Sequence, residues 1–367
     1  VEAALLLLPA AVGMLYGEKQ TLIAFLISAA ISLLLGLLPK LFLKPKTHVI
    51  YAKEGFIIVA FTWIMLSLVG AVPLVLAGAV TSYADAFFEI VSGFTTTGSS
   101  VIPDVEVLSH GALFWRSFTH WVGGMGIIVF VMAILPNVSE RPIHILRAEI
   151  PGPTVGKLVP RIKDTALILY LIYIVMTVIE TVMLLFGGMS FFESLLHTFG
   201  TAGTGGFGLK RDSLASYSPY IQWVITAFMI LFGVNFNLYY LMLLKKFKAV
   251  VTSTELWAYF GIILSSAALI AWNIRHLFVG TEQTVRTAAF QVASVISTTG
   301  YATADFNLWP NFSKNILFIL MFIGGCAGST AGGIKVSRIV LLFKLISNEV
   351  KRMLHPRSVS SLSFEGK

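Results

Sequence analysis

Residues 84–100 read ADAFFEIVSGFTTTGSS, and the same pattern returns as FFESLLHTFGTAGTGGFG at 191–208 and as VRTAAFQVASVISTTGYAT at 285–303. When the copies are aligned on one glycine, each has threonine two positions earlier and a small residue six positions earlier. The glycines are Gly98, Gly206 and Gly300, the threonines are Thr96, Thr204 and Thr298, and the small residues are Ser92, Gly200 and Ser294. A register kept over three copies indicates one structural unit that is used three times.

Long apolar segments surround the three copies. The chain is 56% hydrophobic and 12% charged, with a mean hydropathy of +0.85, whereas a soluble domain carries about 25% charged residues. This composition leaves too little polar surface for a soluble protein, so we predict a bilayer protein. Its apolar segments are 1–16, 21–39, 55–80, 112–136, 166–188, 219–243, 256–273 and 313–348.

Each copy lies between two of these segments and begins with an apolar stretch that is too short to cross a bilayer. We therefore predict an all-α membrane protein in which a span, a re-entrant pore loop and a second span form a repeated unit around a central pore. Two extra transmembrane helices precede the first unit.

The net charge of +8 has a topological explanation. Basic clusters follow every second apolar segment, for example at 40–53, 141–163 and 245–248, and cytoplasmic loops collect lysine and arginine. We predict a cytoplasmic N-terminus and no nucleic-acid partner. The only cysteine, Cys326, excludes an intramolecular disulfide and a multi-cysteine metal site.

The repeated loops have the composition of a carbonyl ion site. Nonhelical backbone at membrane depth is tolerated only where protein buries it or where it lines water, and glycine turns its carbonyl without a side-chain clash. The sequences TTGS, TGGF and TTGY are similar to the TVGYG loops of potassium channels, whose carbonyl oxygens replace the hydration shell of the ion. We predict a filter that binds K⁺, the one metal expected, at Thr96, Thr97, Gly98, Thr204, Gly205, Gly206, Thr298, Thr299 and Gly300. The alternative is that these residues only pack helices together.

A second segment, GGCAGSTAGGIK at 324–335, lies inside the last apolar segment, and we name it the glycine-rich loop. Each glycine inside a helix costs about 1 kcal/mol relative to alanine, so five of them cost about 5 kcal/mol and predict a broken helix. Because broken backbone must face the pore, we predict a mobile gate below the filter. Its residues are Gly324, Gly325, Cys326, Gly328, Ser329, Thr330, Gly332, Gly333 and Lys335. A close-packed glycine face on a straight helix is the alternative.

These motifs resemble a known family. The three loops, WVGGMGI at 121–127, FGVNFN at 232–237 and GGCAGSTAGGIKVSR at 324–338 are similar to the Trk/Ktr/HKT superfamily of potassium transporters, and most of all to the bacterial TrkH and TrkG membrane subunits. The resemblance implies potassium uptake through four pseudo-symmetric repeats, each with one filter glycine, and a gate at 324–334 in the third repeat. Relatives with serine at the first filter glycine favour sodium, so Gly98 favours potassium.

The same resemblance implies partners, a location and a missing part. It implies a homodimer in the lipid bilayer of the bacterial cytoplasmic membrane, a cytosolic nucleotide-binding ring of the TrkA or KtrA type, and no organic cofactor in this chain. Three of the expected four repeats are present, so we expect a fragment that lacks the fourth. The predicted domains are a preface at 1–49, repeats at 50–150, 151–250 and 251–357, and the start of a linker at 358–367.

Two other functions are compatible with a polytopic sequence. A Na⁺- or H⁺-coupled symporter also uses broken helices and internal repeats, although these are commonly inverted, whereas the present repeats share one orientation. An intramembrane enzyme has little support, because the sequence contains no paired acids, Ser–His set or HExxH helix. We therefore expect a transporter that is not an enzyme.

Single polar residues complete the sequence prediction. We expect Glu89, in the first pore helix, to pair with Arg116 and so brace the first loop. Glu180, inside a span, is either functional or a hydrogen-bonded structural residue. Asn235 and Asn237 are expected to bond across helices. The histidines at 110, 120, 144 and 197 show no ligand spacing.

Overall fold

The computed structural model of the chain describes residues 1–42, 52–126 and 162–355. All regular structure in these ranges is helical, which confirms the predicted all-α class. Several predicted features lie outside the described residues: most of the basic cluster at 141–163, the second part of the apolar segment 112–136, His144, and the linker at 358–367.

A pair of helices precedes the first repeat. Helix α1 (Glu2–Leu15) packs against α2 (Lys19–Phe42), and the two join through a tight turn in which Gly17 has a φ of 72°. Only α2 contains a stretch long and apolar enough to cross a membrane, Lys19–Pro39. These two helices correspond to the predicted preface.

In all three repeats a long helix is followed by a short one and then by another helix. The helices of the first repeat are α3 (Ala52–Leu76), α4 (Tyr83–Phe94) and α5 (His110–Gly124). Those of the second are α6 (Ile162–Phe186), α7 (Phe191–Ala202) and α8 (Pro219–Phe232), with α9 (Phe236–Leu243) after a break. A connecting helix α10 (Phe247–Val251) leads to α11 (Thr254–Ile274), α12 (Thr281–Ile296), α13 (Asn311–Ile323) and α14 (Val336–Leu354).

Local sequence signals start the short helices. Helix α7 begins with a capping box in which the Ser190 hydroxyl accepts from the Glu193 amide and the Glu193 carboxylate accepts from the Ser190 amide. Helices α4 and α7 have 12 residues each and α12 has 16, whereas a membrane span needs about 20. These are the short apolar stretches that the sequence predicts before each loop.

The predicted span over 219–243 is not one continuous helix. This segment forms α8 and α9, which meet at an angle of 89°. Gly233 ends α8, and the side chain of Asn235 caps α9 by accepting from the Asn237 amide at 3.0 Å. Among the described residues, four other helices are long and apolar enough to cross a membrane, and each falls on a predicted apolar segment. They are Lys19–Pro39, Phe56–Leu76, Leu167–Phe186 and Thr254–Ile274.

The chain forms two compact units, residues 1–216 and 217–367. In the first unit α5, the last described helix of repeat 1, packs against α7, the pore helix of repeat 2. In the second unit α8 packs in the same way against α12. A helix that follows the repeat loop of one repeat thus packs against the short helix of the next repeat. The core of the second unit forms around α12. Its buried side chains include Tyr259, Ile263, Val292, Ile296 and Leu317.

Candidate functional site

Three loops follow the short helices, and we name residues 95–100, 203–208 and 297–302 repeat loops 1, 2 and 3. Each has the same backbone conformation. The threonine two positions before the aligned glycine has a positive φ, and so does the glycine itself. The φ values are 53°, 54° and 59° at Thr96, Thr204 and Thr298, and 75°, 77° and 90° at Gly98, Gly206 and Gly300.

Each threonine lies two residues past the last residue of a helix, directly after the C-cap residue, in a Schellman cap. In repeat loop 1 the Thr97 amide donates to the Ser92 carbonyl at 2.9 Å, and the Thr96 amide donates to Gly93 at 3.0 Å. The other two loops repeat both bonds. In these loops the Gly205 amide donates to the Gly200 carbonyl and the Thr299 amide donates to the Ser294 carbonyl, each at 2.9 Å. The small residue six positions before the aligned glycine is therefore the one whose carbonyl accepts the longer-range hydrogen bond of the Schellman cap.

A threonine in this conformation is strained. Glycine is the usual residue at the position after the C-cap, and a β-branched residue at positive φ is a genuine outlier. Such strain persists only where the surroundings hold it, and it clusters at functional sites. Three equivalent occurrences in one chain make the repeat loops the candidate site.

The hydroxyl groups beside these threonines differ among the loops. Thr95 and Thr97 share a hydrogen bond at 2.8 Å, and Ser297 and Thr299 share one at 2.7 Å. In repeat loop 2 both positions are glycine, and a Cβ at either would overlap His120. The glycine-rich sequence of repeat loop 2 is therefore explained by the close approach of α5.

Glu89 and Arg116 form a buried ion pair, which confirms the predicted pairing. The Arg116 Nε–Glu89 Oε1 distance is 2.7 Å, and neither side chain is more than 2% exposed. Glu89 also accepts from the Ser100 hydroxyl at 2.9 Å and from the Val101 amide at 3.0 Å. The pair thus holds the chain that leaves repeat loop 1.

Arg116 also contacts repeat loop 2. Its guanidinium lies 4.3 Å from the centre of the Phe207 ring, which follows Gly206. The His120 ring stacks on the Phe207 ring with a centroid distance of 4.1 Å. One face of α5 therefore supports two repeat loops. The sequence did not predict that His120 and Phe207 pack together here, although Phe207 follows a motif glycine and His120 directly precedes the WVGGMGI segment.

The glycine-rich loop interrupts a helix, as predicted. Helix α13 ends at Ile323 and α14 begins at Val336. Positive φ angles occur at Gly324, Gly328, Gly333 and Lys335. At Gly324 the φ of 75° and ψ of −168° form a combination that is open essentially to glycine alone.

The break between α8 and α9 holds the glycine-rich loop. The Cys326 amide donates to the Gly233 carbonyl at 2.9 Å, and the Phe236 amide donates to Gly328 at 3.0 Å. The Thr330 hydroxyl donates to the Phe232 carbonyl at 3.2 Å. Asn235 caps its own helix and faces Gly328, instead of making the cross-helix bond that the sequence suggested.

The glycine-rich loop also contacts repeat loop 3. The Gly332 amide donates to the Thr298 hydroxyl at 2.7 Å, and this hydroxyl donates in turn to the Ser297 carbonyl at 2.6 Å. A Cβ on Gly332 would lie 3.0 Å from the same Thr298 oxygen. The strained threonine is thus in contact with the predicted gate.

Two buried charged residues complete the surroundings of the glycine-rich loop. The Lys335 ammonium donates to the Ala331 carbonyl, and the Lys335 side chain is 2% exposed. Glu255, in the first turn of α11, accepts from the Ala327 amide at 2.7 Å. The sequence analysis missed Glu255, although an acidic residue at the start of an apolar span was a visible signal.

The remaining polar residues form no metal site in the described ranges. No group of three His, Cys, Asp or Glu side chains could hold a metal there. Glu180 is wholly buried in α6, and neither carboxyl oxygen has a hydrogen-bond partner of good geometry among the described residues, although the Thr201 hydroxyl lies beside it. His110 bonds Glu18 at 2.9 Å.

Comparison with known families gives one consistent result. The family model described as TrkH, cation transport protein, matches residues 21–264 and 273–367. The Escherichia coli K12 "Trk system potassium uptake protein TrkH" is 38% identical over 320 residues, which is 85% of this chain and 66% of the relative. The TrkG protein of the same strain is 31% identical over 98% of this chain and 76% of its own length.

A solved structure has the same fold. The crystal structure of the potassium transporter TrkH from Vibrio parahaemolyticus superimposes with a TM-score of 0.87 at 32% identity. The match covers 100% of this chain and 76% of the other. The chain spans about two thirds of the length of the Escherichia coli TrkH it matches.

Proposed function

The chain belongs to the TrkH family of cation transport proteins, and from this premise we propose that the protein containing it takes up potassium ions across a membrane through a channel-like pore. The observation that carries the proposal is the hydrogen bond from the Gly332 amide to the Thr298 hydroxyl. It places the glycine-rich loop directly beside repeat loop 3, as a gate in series with a filter requires.

The filter of this proposal consists of main-chain oxygens in the three repeat loops. Alternating positive φ at threonine and glycine turns successive carbonyls in a way that regular structure does not. The conformation is the same at Thr96, Thr204 and Thr298, which supports equivalent roles. Carbonyl oxygens that replace a hydration shell suit a monovalent cation such as K⁺, and the residues assigned to it are Thr96, Thr97, Gly98, Thr204, Gly205, Gly206, Thr298, Thr299 and Gly300.

The gate of this proposal is the glycine-rich loop. Main-chain hydrogen bonds to the broken α8–α9 segment and one hydrogen bond to Thr298 hold the loop in this position, which we call its seat. Main-chain bonds of about 1 kcal/mol each allow the loop to leave its seat without unfolding the helices around it. The residues assigned to it are Gly324, Gly325, Cys326, Gly328, Ser329, Thr330, Gly332, Gly333 and Lys335.

The assembly forms the last part of the proposal. Relatives named after a Trk system belong to a system of several components, and we propose a homodimer in the bacterial cytoplasmic membrane with a cytosolic nucleotide-binding ring as partner. The N-terminus lies on the cytoplasmic side in this arrangement. No contact of the described residues favours coupling to Na⁺ or H⁺ over a pore.

Potassium-limited growth of a host without its own potassium uptake systems tests the function. The protein containing this chain should restore growth and ⁸⁶Rb⁺ uptake. The variant Gly98→Ser should lower the preference for K⁺ over Na⁺ by about tenfold, which corresponds to the loss of about 1.4 kcal/mol of differential binding.

Gly261→Ser is the matched control. Gly261 lies in α11 with open space around it, so its variant should keep the ion preference. Absence of uptake by a protein that reaches the membrane would refute potassium transport. An unchanged ion preference in Gly98→Ser would remove Gly98 from the filter.

A further inference from the structure

We infer that Glu255 is a positioning residue that clasps both ends of the glycine-rich loop, an inference that rests on the proposed gate. A single oxygen, Oε1, accepts from the Ala327 amide at 2.7 Å and from the Ser337 amide at 3.1 Å. Ala327 lies near the start of the loop and Ser337 lies two residues after its end. The carboxylate therefore ties together two points that the loop separates.

Both donors need an acceptor. Ala327 is 8% exposed and lies outside regular structure, so its amide has no helix partner. Ser337 is the second residue of α14, and the first amides of a helix have no partner within that helix. The residue before the helix, Lys335, supplies no side-chain cap. Glu255, which belongs to α11, therefore caps α14 from another element.

The charges around the clasp are complementary. A carboxylate is favourable at a helix N-terminus, and Glu255 is 4% exposed. The buried Lys335 ammonium interacts electrostatically with Glu255 and donates to the Ala331 carbonyl inside the loop. An acid outside the loop and a base at its end thus compensate each other where both are buried.

The clasp exists only while the loop is seated. A movement that carries residue 327 away from residue 337 breaks at least one bond to Glu255. An interaction present in one state alone shifts the equilibrium toward that state. Bonds to a charged acceptor are stronger than those to a neutral one, so the carboxylate sets the balance between the seated and the released loop.

The reactivity of Cys326 measures this balance without requiring transport. Cys326 is the one cysteine of this chain, lies next to Ala327 and is completely buried. In purified protein, N-ethylmaleimide should modify the peptide that contains Cys326 about tenfold faster in Glu255→Ala than in the wild type, the factor expected for the loss of one charge-assisted bond. Glu255→Gln, which keeps an acceptor oxygen, should lie between them.

Glu349→Gln is the matched control, because Glu349 is an exposed acid of α14 paired only loosely with Arg352, at 3.8 Å. Its labelling rate should equal that of the wild type. In proteoliposomes, Glu255→Gln should raise ⁸⁶Rb⁺ leak while the preference for K⁺ over Na⁺ stays unchanged, a separation that a general loss of structure would not produce.

The outcomes are separable. An unchanged Cys326 rate in folded Glu255→Ala and Glu255→Gln would overturn the clasp, whatever the protein transports. Faster labelling together with absent ⁸⁶Rb⁺ flux in the wild type would keep the clasp and refute the proposed function. If Glu255→Ala does not fold, the Glu255→Gln rate decides.

Discussion

At the scale of single residues, threonine in a left-handed conformation is the feature that unites the three repeat loops. A non-glycine residue in this conformation costs about 1–2 kcal/mol, and glycine would remove that cost. The hydroxyl supplies what glycine lacks. In repeat loop 3 it both donates to Ser297 and accepts from Gly332, so Thr298 connects the loop to its neighbour.

The Glu89–Arg116 pair leads to a residue-scale prediction. Breaking a buried pair leaves an uncompensated charge, which costs about 3–5 kcal/mol. Glu89→Gln and Arg116→Gln should each lower the free energy of unfolding. The loss in the double variant should be about 2 kcal/mol smaller than the sum of the two single losses. Thermal unfolding in detergent measures all four proteins.

Glu349 and Arg352 provide the comparison pair. Their side chains are 59% and 70% exposed, and exposed pairs contribute about 0–1 kcal/mol. The same cycle at this pair should therefore show no measurable coupling. Simple additivity at Glu89 and Arg116 would mean that the pair does not brace repeat loop 1.

Some of these residues were predictable and others were not. Glu89 and Arg116 are opposite charges in a mostly apolar sequence, so each needs a partner and few are available. Glu255 is chemically similar, yet the donors to its carboxylate are backbone amides, which nearly every residue carries. Its role therefore depends on where residues 327 and 337 lie, and a single sequence does not contain that information.

At the scale of elements, the helix after each repeat loop ends at or directly before a glycine. Helix α5 ends at Gly124, α8 is closed by Gly233, and α13 is closed by Gly324. In the second and third repeats the chain then continues as a new helix after a break. The interruption that the sequence predicted for the last apolar segment is thus shared by the second and third repeats.

The bend between α8 and α9 was not predicted from the sequence, for a physical reason. Five glycines in 324–335 predict a break by composition, whereas Gly233 is a single glycine in an apolar segment and costs a helix about 1 kcal/mol. The break is stabilised by the amide of Cys326 and the carbonyl of Gly328. Those contacts come from a segment distant in sequence, and hydropathy does not register them.

Deletion of residues 326–331 is the element-scale prediction. These residues include the donors and acceptors that seat the glycine-rich loop on α8 and α9, namely Cys326, Gly328 and Thr330. If the loop closes the pore, its removal should leave a constitutive ⁸⁶Rb⁺ leak in proteoliposomes. Deletion of Val279, which is fully exposed in the turn before α12, is the control and should not leak. A silent deletion, or one that abolishes flux in a folded protein, would contradict the gate.

At the scale of the whole molecule, packing between successive repeats organises the chain. Helix α5 supports the pore helix of repeat 2, and α8 supports that of repeat 3. The first compact unit therefore ends after residue 216, between repeat loop 2 and α8. The sequence predicted the repeats because their registers are local. The sequence did not predict that a helix of one repeat packs against the short helix of the next, because this packing joins residues far apart in the chain.

The proposed filter includes both Gly98 and Gly300, and this assignment leads to the whole-molecule prediction. If their carbonyls bind the same K⁺, Gly98→Ser and Gly300→Ser should each lower the preference for K⁺ over Na⁺ by about tenfold. The double variant should lose far less than about a hundredfold, because effects on one shared site are not additive.

Competition of Na⁺ with ⁸⁶Rb⁺ uptake measures the preference in each variant. The double variant of Gly98→Ser with Gly261→Ser should equal Gly98→Ser alone, since Gly261 lies in open space on α11. Independent, multiplying losses at Gly98 and Gly300 would indicate two separate ion sites, and a silent Gly300→Ser would place repeat loop 3 outside the filter. Because the Cβ of residue 300 would meet no atom within 4 Å, a loss there would have to arise from the backbone that carries the ion-binding oxygen.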